Sequence, residues 1–150
     1  MKIGFLRQDY CIYSAAFFMA FGLSVVNTAL PFLIVLFGGA DKEVGLTVGL
    51  NFFAYLVGCL LVVPFIHKFN EKSITLIGGA LMISMLAGIT WLCLYVINAG
   101  GRINATLVFG GFWMGAGFFT ALWWPSLMGW MSTGVEGKKL SKRLGIYNMS

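Results

Sequence analysis

Charged residues are scarce in this chain and absent from long stretches of it. They make up 10% of the 150 residues, and hydrophobic residues make up 59%, against about 25% and roughly 45–50% in an ordinary soluble domain. Between Tyr10 and Gly101 the charged side chains fall into two clusters: Asp41, Lys42 and Glu43, then Lys68, Glu71 and Lys72. So few charges cannot cover the surface of a soluble domain of this length. The composition therefore argues against a water-soluble fold.

Paired cysteines and clusters of titratable side chains are lacking as well. The three cysteines, Cys11, Cys59 and Cys93, do not have the C-x-x-C spacing that is typical of zinc and redox sites. The single histidine, His67, lies at the end of an apolar block, and the blocks contain no Asp, Glu, Lys or Arg. These absences predict a protein without catalytic residues, metal ligands or a cofactor.

Long apolar blocks fill the rest of the chain. About 20 apolar helical residues cross the roughly 30 Å hydrocarbon core of a bilayer, and a charge near its centre costs a few kcal/mol or more. We therefore predict an all-α polytopic bundle in a lipid bilayer, with transmembrane helices at about 10–37, 44–66, 73–97 and 104–131. Gly38-Gly39 should end the first helix, Asp41 to Glu43 should form a short loop, and Ser73 should cap the third helix.

A fifth helix is predicted to begin at about residue 143 and to continue to Ser150. About 7 helical residues span about 10 Å and cannot cross a bilayer. The pattern therefore predicts the N-terminal part of a longer protein.

Basic residues are distributed unequally between the two sides of these helices. Lys42 and Arg102 lie on one side, and the other side carries Lys2, Arg7, Lys68, Lys72, Lys138, Lys139, Lys142 and Arg143. The positive-inside rule then predicts a multi-pass protein of the inner or plasma membrane with its N-terminus in the cytoplasm. The same rule accounts for the net charge of +5 without a nucleic-acid partner, because the basic residues flank apolar blocks and do not form one soluble face.

Polar side chains within the blocks recur at helical spacing and form three stripes. The stripes are Ser24, Asn27, Thr28 and Pro31; Thr47, Asn51, Tyr55 and Gly58; and Trp113, Gly117, Thr120 and Trp124. Lipid cannot satisfy an amide or a hydroxyl group, so the stripes should contact protein or water. One interpretation is hydrogen bonding between helices. The other is a cavity for an uncharged or organic ligand, with five candidate lining residues: Asn27, Thr28, Asn51, Thr120 and Trp124.

Two glycine pairs are spaced one helical turn apart, Gly45-x-x-x-Gly49 and Gly111-x-x-x-Gly115. Such pairs let helix backbones approach closely. They predict either static packing or the sliding of helices that alternating access requires.

The loop between the second and third blocks has a recognisable pattern. It reads Val63-Pro64-Phe65-Ile66-His67-Lys68-Phe69-Asn70-Glu71-Lys72. This loop resembles the signature loop of the major facilitator superfamily, G-x-L-A-D-R-x-G-R-K, with Lys68 at the first basic position and Lys72 at the last. Asn70 stands where glycine is usual, His67 replaces the aspartate and Glu71 replaces an arginine. The resemblance implies that His67, Lys68 and Lys72 belong to an inner gating loop.

A second similarity covers the fourth block and the segment after it. The sequence has Gly115-x-Gly117, then Leu122-Trp123-Trp124-Pro125-Ser126, and later Arg143-Leu144-Gly145-Ile146-Tyr147-Asn148. It looks like facilitators in which a Trp-Pro pair kinks the fourth helix. Members of that superfamily have twelve helices in two halves, and their first and fourth helices contribute to a substrate cavity between the halves. The resemblance thus implies secondary active transport of a small organic solute by alternating access, with the remaining transporter helices missing from this chain.

Two other classes of membrane protein stay open. A complete four-helix structural or assembly subunit would share the apolar blocks, but it should end in a solvated tail and not in a helix-opening pattern. A small multidrug exporter is disfavoured because such proteins resemble one another in a membrane glutamate that these blocks lack.

Overall fold

Four long helices make up most of the described chain. The computed structural model describes residues 2–66, 68–99 and 105–133, together with residues 137, 140–141 and 144–145. The helices are α1 (Lys2–Leu36), α2 (Asp41–Ile66), α3 (Glu71–Ala99) and α4 (Ala105–Ser132), and these described residues contain no strand. Each helix holds an apolar stretch of 22 to 28 residues, which is long enough to cross a roughly 30 Å hydrocarbon core. The predicted all-α transmembrane bundle is confirmed.

The α1 helix ends at a turn formed by Gly38 and Gly39, as the sequence predicted. Gly38 has a φ of 87°, in the left-handed region that glycine enters without strain. Its N–H donates to the Val35 carbonyl at 3.0 Å, and the Gly39 N–H donates to the Ile34 carbonyl at 2.8 Å. These are the two hydrogen bonds of a Schellman motif. The helix therefore ends here, and the chain turns towards α2.

The first two helices begin earlier than predicted. The α1 helix starts at Lys2 and not near residue 10, because backbone hydrogen bonding continues beyond the apolar stretch. The prediction of a loop at residues 41–43 is wrong, since they form the first turn of α2. Glu43 Oε2 accepts the Ala40 N–H at 2.9 Å, and acidic side chains are favourable at the positive end of a helix.

The third helix begins at Glu71, and the prediction that Ser73 caps it is wrong. The cap is Asn70, whose Oδ1 accepts the Lys72 N–H at 3.1 Å, as a residue directly before a helix can do. The fourth helix agrees closely with the predicted range. The predicted fifth helix lies outside the described residues apart from Leu144 and Gly145, which are helical.

The α4 helix is the centre of the bundle. It packs along its length against α2 and α3, whereas α1 contacts α2 and α4 at few positions. One buried cluster joins α1, α3 and α4: Leu30, Ile34, Ile89, Leu92, Val96, Phe109, Trp113 and Ala116. A second joins α1 and α4: Ile12, Ala16, Trp123, Leu127 and Met131. The α1 helix is thus packed against α4 near both ends of its membrane span.

The outer surface of the bundle is apolar. Phe32, Leu36 and Leu107 are each more than 70% exposed, and many other large apolar side chains point outwards. A monomeric soluble protein rarely exposes apolar surface of this extent. The structure therefore supports a multi-pass protein whose outer surface contacts lipid.

The two predicted glycine pairs are not where the helices meet closely. A Cβ placed on Gly45, Gly49 or Gly111 would have no described neighbour within 4 Å, and one on Gly115 would meet only the Met85 side chain. Among the described residues, therefore, neither pair makes a close contact with another helix backbone. A G-x-x-x-G spacing identifies a smooth patch, but it does not decide which face of the helix turns towards a neighbour.

Other glycines allow α2 to approach α4. A Cβ on Gly58 would lie 2.6 Å from the Cβ of Ala121. A Cβ on Gly117 would overlap the backbone of Asn51. Both glycines belong to the polar stripes, so the stripes of α2 and α4 face one another.

We expect Thr47→Val to stabilise the bundle. Thr47 is fully buried, and its hydroxyl has no hydrogen-bond partner among the described residues. Valine has nearly the same shape, and an unpaired buried polar group costs about 1–3 kcal/mol. The thermal unfolding midpoint in detergent should therefore rise. The control is Thr75→Val, because the Thr75 hydroxyl donates to the Glu71 carbonyl at 2.8 Å. An equal or lower midpoint for Thr47→Val would contradict the expectation.

Candidate functional site

A cavity of about 210 Å³ lies between α1, α2 and α4. Its lining residues are Leu23, Asn27, Asn51, Phe52, Tyr55, Trp113, Gly117, Thr120 and Trp124. The structure thus brings together four of the five candidate residues, one on α1, one on α2 and two on α4. Phe52 and Leu23 were not anticipated, because they lie outside the polar stripes and only the rotation of their helices turns them inwards.

The cavity lies at the middle of the bundle. Asn27, Asn51 and Thr120 each fall within about one helical turn of the centre of their apolar stretches, Tyr10–Leu36, Asp41–Val62 and Leu107–Ser132. The two buried clusters pack α1 against α4 on either side of this level. The polar lining is therefore at the depth where a bilayer offers no water or headgroups.

Asn51 is held by a hydrogen bond across the interface between α2 and α4. Its Nδ2 donates to the Trp113 carbonyl at 2.6 Å. Gly117 lies one turn along α4, where a Cβ would overlap the Asn51 backbone and lie 2.9 Å from Asn51 Nδ2. The missing side chain of Gly117 therefore lets the two backbones come close enough for this bond.

Thr120 is held within α4. Its hydroxyl lies 2.7 Å from the Ala116 carbonyl oxygen and 3.1 Å from the Met82 Sδ on α3. A threonine in a helix commonly donates to the carbonyl four residues earlier. The hydroxyl hydrogen is thus directed into the protein, whichever of the two atoms accepts it.

Asn27 and Thr28 are adjacent on α1 but differ in their surroundings. Asn27 is exposed, lines the cavity, and hydrogen-bonds to no other residue that the structure describes. Thr28 is exposed but does not line the cavity. Its hydroxyl donates to the Ser24 carbonyl at 2.9 Å. The structure therefore places Asn27, and not Thr28, at the cavity.

Aromatic rings form much of the cavity wall, and charge is absent from it. Phe52, Tyr55, Trp113 and Trp124 all contribute, and no lining residue is formally charged. The Trp124 ring contacts the Trp123 ring edge-to-face, with centroids 4.6 Å apart, and Trp123 is buried in the second cluster. The cavity thus combines ring faces with amide and hydroxyl groups in a site without fixed charge.

The residues of the candidate gating loop lie at the end of the bundle where α2 ends and α3 begins. His67 lies outside the described residues, and Lys68 is exposed. Lys72 is exposed too, with its Nζ 5.8 Å from the centroid of the Trp130 ring, at the edge of cation–π range. Lys72 therefore reaches the end of α4.

Glu71 makes a contact at this end that was not predicted from the sequence. Its Oε2 lies 2.9 Å from the Thr133 hydroxyl, which can donate to it. A Cβ on Gly129 would lie 2.7 Å from Glu71 Oε1, so the carboxylate fills the space that this glycine leaves. The sequence gives no sign of this contact apart from a glycine near the end of an apolar block.

Two other cavities lie at the ends of the bundle. One, of about 680 Å³, is lined by Pro31, Phe32, Val35, Leu36, Asp41 and Val44. The other, of about 390 Å³, is lined by Ile66, Glu71, Pro125, Met128, Gly129, Ser132, Leu140 and Leu144. Both are lined mainly by apolar side chains, and neither gathers polar groups from three helices as a ligand site typically requires. The described residues also contain no group of three His, Cys, Asp or Glu that could hold a metal ion.

Comparison with known proteins identifies no relative of this chain. No protein-family model matches it, and neither a curated protein nor a solved structure does so. The functional argument therefore depends on the geometry of the central cavity.

Proposed function

We propose that this chain is the N-terminal part of a secondary carrier of the major facilitator type, which moves a small organic solute across the membrane by alternating access. The observation that carries the proposal is the convergence of polar, uncharged side chains from three helices at the middle of their apolar stretches. Secondary transporters hold their substrates near the bilayer midplane. The sequence resemblance supports the choice of family, and the cavity supports the choice of solute site.

Asn27 separates the two interpretations of the polar stripes. Hydrogen bonding between helices accounts for Asn51, whose amide bonds to the Trp113 carbonyl. It does not account for Asn27, which bonds to no other described residue. A polar group at this depth is expensive unless it meets protein or water. An amide that faces a cavity and has no described protein partner favours a ligand-binding role.

The wall chemistry favours an organic solute. Ring faces provide apolar contact area and attract the positive edges of other groups. A few polar groups among such walls are typical of sites that orient a small molecule. The uncharged lining is therefore suited to a solute that is recognised by shape and hydrogen bonding.

The proposed carrier lies in the inner or plasma membrane with its N-terminus in the cytoplasm. Labelling with a membrane-impermeant maleimide tests this orientation. In a variant without Cys11, Cys59 and Cys93, we expect Ala40→Cys to be labelled from outside intact cells and Phe69→Cys to be protected, although both positions are exposed between helices. Phe69→Cys should become labelled once the membrane is permeabilised. The reverse pattern would contradict the orientation.

Solute exchange tests the transport function. The full-length protein is reconstituted into liposomes loaded with a mixture of small metabolites, and the loss of each metabolite is followed by mass spectrometry. A carrier should release a small set of solutes faster than protein-free liposomes do. Retention of every solute would contradict transport and favour the structural-subunit alternative, whereas equal release of all solutes would indicate a leak and count against a carrier.

A further inference from the structure

The end of the bundle where α3 begins and α4 ends carries an exposed positive charge at the depth of lipid headgroups. Lys72 is the second residue of α3 and is exposed. The apolar stretches Glu71–Asn98 and Leu107–Ser132 hold 28 and 26 residues, which is about 40 Å of helix. That length is close to the thickness of a bilayer with its headgroup regions. The start of α3 and the end of α4 therefore lie among headgroups.

The Lys72 ammonium group lies beside an aromatic ring of α4. Its Nζ is 5.8 Å from the centroid of the Trp130 ring, and Trp130 packs against the second buried cluster. A cation near a ring face is attracted to it but keeps its N–H donors. Tryptophan is also the residue typical of the headgroup level. The ring therefore favours this position of the ammonium group without neutralising its charge.

The carboxylate next to Lys72 in the sequence is engaged elsewhere. Glu71 Oε2 lies 2.9 Å from the Thr133 hydroxyl, and Oε1 occupies the space beside Gly129. Among the residues that the structure describes, Lys72 forms no ion pair with a carboxylate. Its charge is thus available to an anion from outside the bundle.

The loop before α3 adds both charge and apolar surface to the same end. Lys68 is exposed, and the side chain of Phe69 is 65% exposed. A phenyl ring is unfavourable in water and favourable at the boundary between headgroups and acyl chains. A soluble anion would satisfy the lysines but leave the ring in water. A phospholipid has a phosphate next to acyl chains, so it suits the lysines and the ring together.

We propose that Lys68, Phe69, Lys72 and Trp130 form a binding surface for an anionic phospholipid. The phosphate contacts the ammonium groups, and the acyl chains contact the aromatic rings. The inference goes beyond the carrier function and does not depend on it, because it uses one end of the bundle and not the central cavity. A lysine close to an anionic membrane surface changes the affinity roughly fivefold.

Competition between two phospholipids tests the proposal with the purified full-length protein. Phosphatidylglycerol and phosphatidylcholine are supplied in equal amounts in mixed micelles, and native mass spectrometry counts the molecules of each that stay bound. Phosphatidylglycerol should be preferred. Lys72→Gln should lower the ratio of bound phosphatidylglycerol to phosphatidylcholine roughly fivefold, whereas Lys72→Arg should keep it. Excess glycerol 3-phosphate, a soluble source of the same phosphate chemistry, should not displace the lipid.

Lys42→Gln is the matched control. Lys42 is likewise the exposed second residue of a helix, but it lies at the opposite end of the bundle and makes no cation–π contact with a described ring. Its ratio of bound lipids should equal that of the unmodified protein. Thermal unfolding of each variant checks that the fold is intact, and both lysines are exposed, so their replacement leaves no cavity.

Several results would overturn the proposal. They are an absence of preference for phosphatidylglycerol, an unchanged ratio in Lys72→Gln, an equal fall in Lys42→Gln, a loss of preference in Lys72→Arg, and displacement of the lipid by glycerol 3-phosphate. An equal fall in both glutamine variants would indicate general attraction between basic residues and anionic lipid, and displacement would indicate a site for soluble anions. Each result can occur whether or not the liposome experiment shows solute exchange, so the two proposals fail separately.

Discussion

Replacing Asn27 by leucine is expected to lower solute exchange at least roughly tenfold while the abundance of the protein in the membrane stays unchanged. The side chain lines the cavity and bonds to no other described residue, so its loss removes no hydrogen bond seen within the fold. Leucine has the same branched arrangement of heavy atoms and suits an apolar environment. Loss of two hydrogen bonds to a solute, each of about 1 kcal/mol, lowers binding at least roughly tenfold.

The neighbouring position provides the matched control. Thr28→Val changes a residue on the same turn of α1 that does not line the cavity and whose hydroxyl is satisfied by the Ser24 carbonyl. We expect its exchange rate to match that of the unmodified protein. Exchange is measured in liposomes containing equal amounts of each variant. Unchanged exchange for Asn27→Leu would dismiss Asn27 as a ligand to the solute.

Gly117→Ala is expected to have the largest effect on stability. A Cβ at this position would overlap the Asn51 backbone, so α2 must move away from α4 or the helices must distort. Overpacking of this kind costs about 1–3 kcal/mol and sometimes more. The same shift would lengthen the hydrogen bond from Asn51 to the Trp113 carbonyl. We therefore expect a thermal unfolding midpoint lower by roughly 5 °C or more.

Gly111→Ala on the same helix is the control for Gly117→Ala. A Cβ there would have no described neighbour within 4 Å, and alanine is favoured over glycine in a helix by about 1 kcal/mol. Its unfolding midpoint in detergent should be equal to or above that of the unmodified protein. Equal midpoints for the two alanine variants would contradict the close approach of α2 and α4 at Gly117.

The helices were predictable because their signal is local. A stretch such as Val44–Ile66 is long, apolar and free of charge, and only a membrane-spanning helix suits it. The turn at Gly38 was predictable for the same reason, since the residue type itself specifies the backbone conformation. Helix starts were less predictable. The charged residues from Asp41 to Glu43 looked like a loop, but an acidic first turn is equally suited to a helix N-terminus.

The cavity was predictable only in part. Helical spacing placed Asn27, Asn51, Thr120 and Trp124 on polar stripes, and a bilayer leaves such stripes few environments other than protein or water. Spacing alone could not distinguish Asn27 from Thr28, because they lie three and four residues after Ser24 and both positions belong to the same helical stripe. The local contacts of each side chain made that distinction.

By itself, the sequence determined that this protein crosses the membrane as long helices and that its polar side chains lie at membrane depth. Those properties follow from the hydrophobicity and the helical periodicity of each segment, which do not depend on the segments around it. Only the tertiary structure decided that α2 and α4 meet at Gly58 and Gly117 and not at Gly45 or Gly111, and that the Asn51 amide faces the Trp113 carbonyl. The rotation and register of a helix depend on the packing of all side chains in its interfaces, and those side chains come from two or more helices.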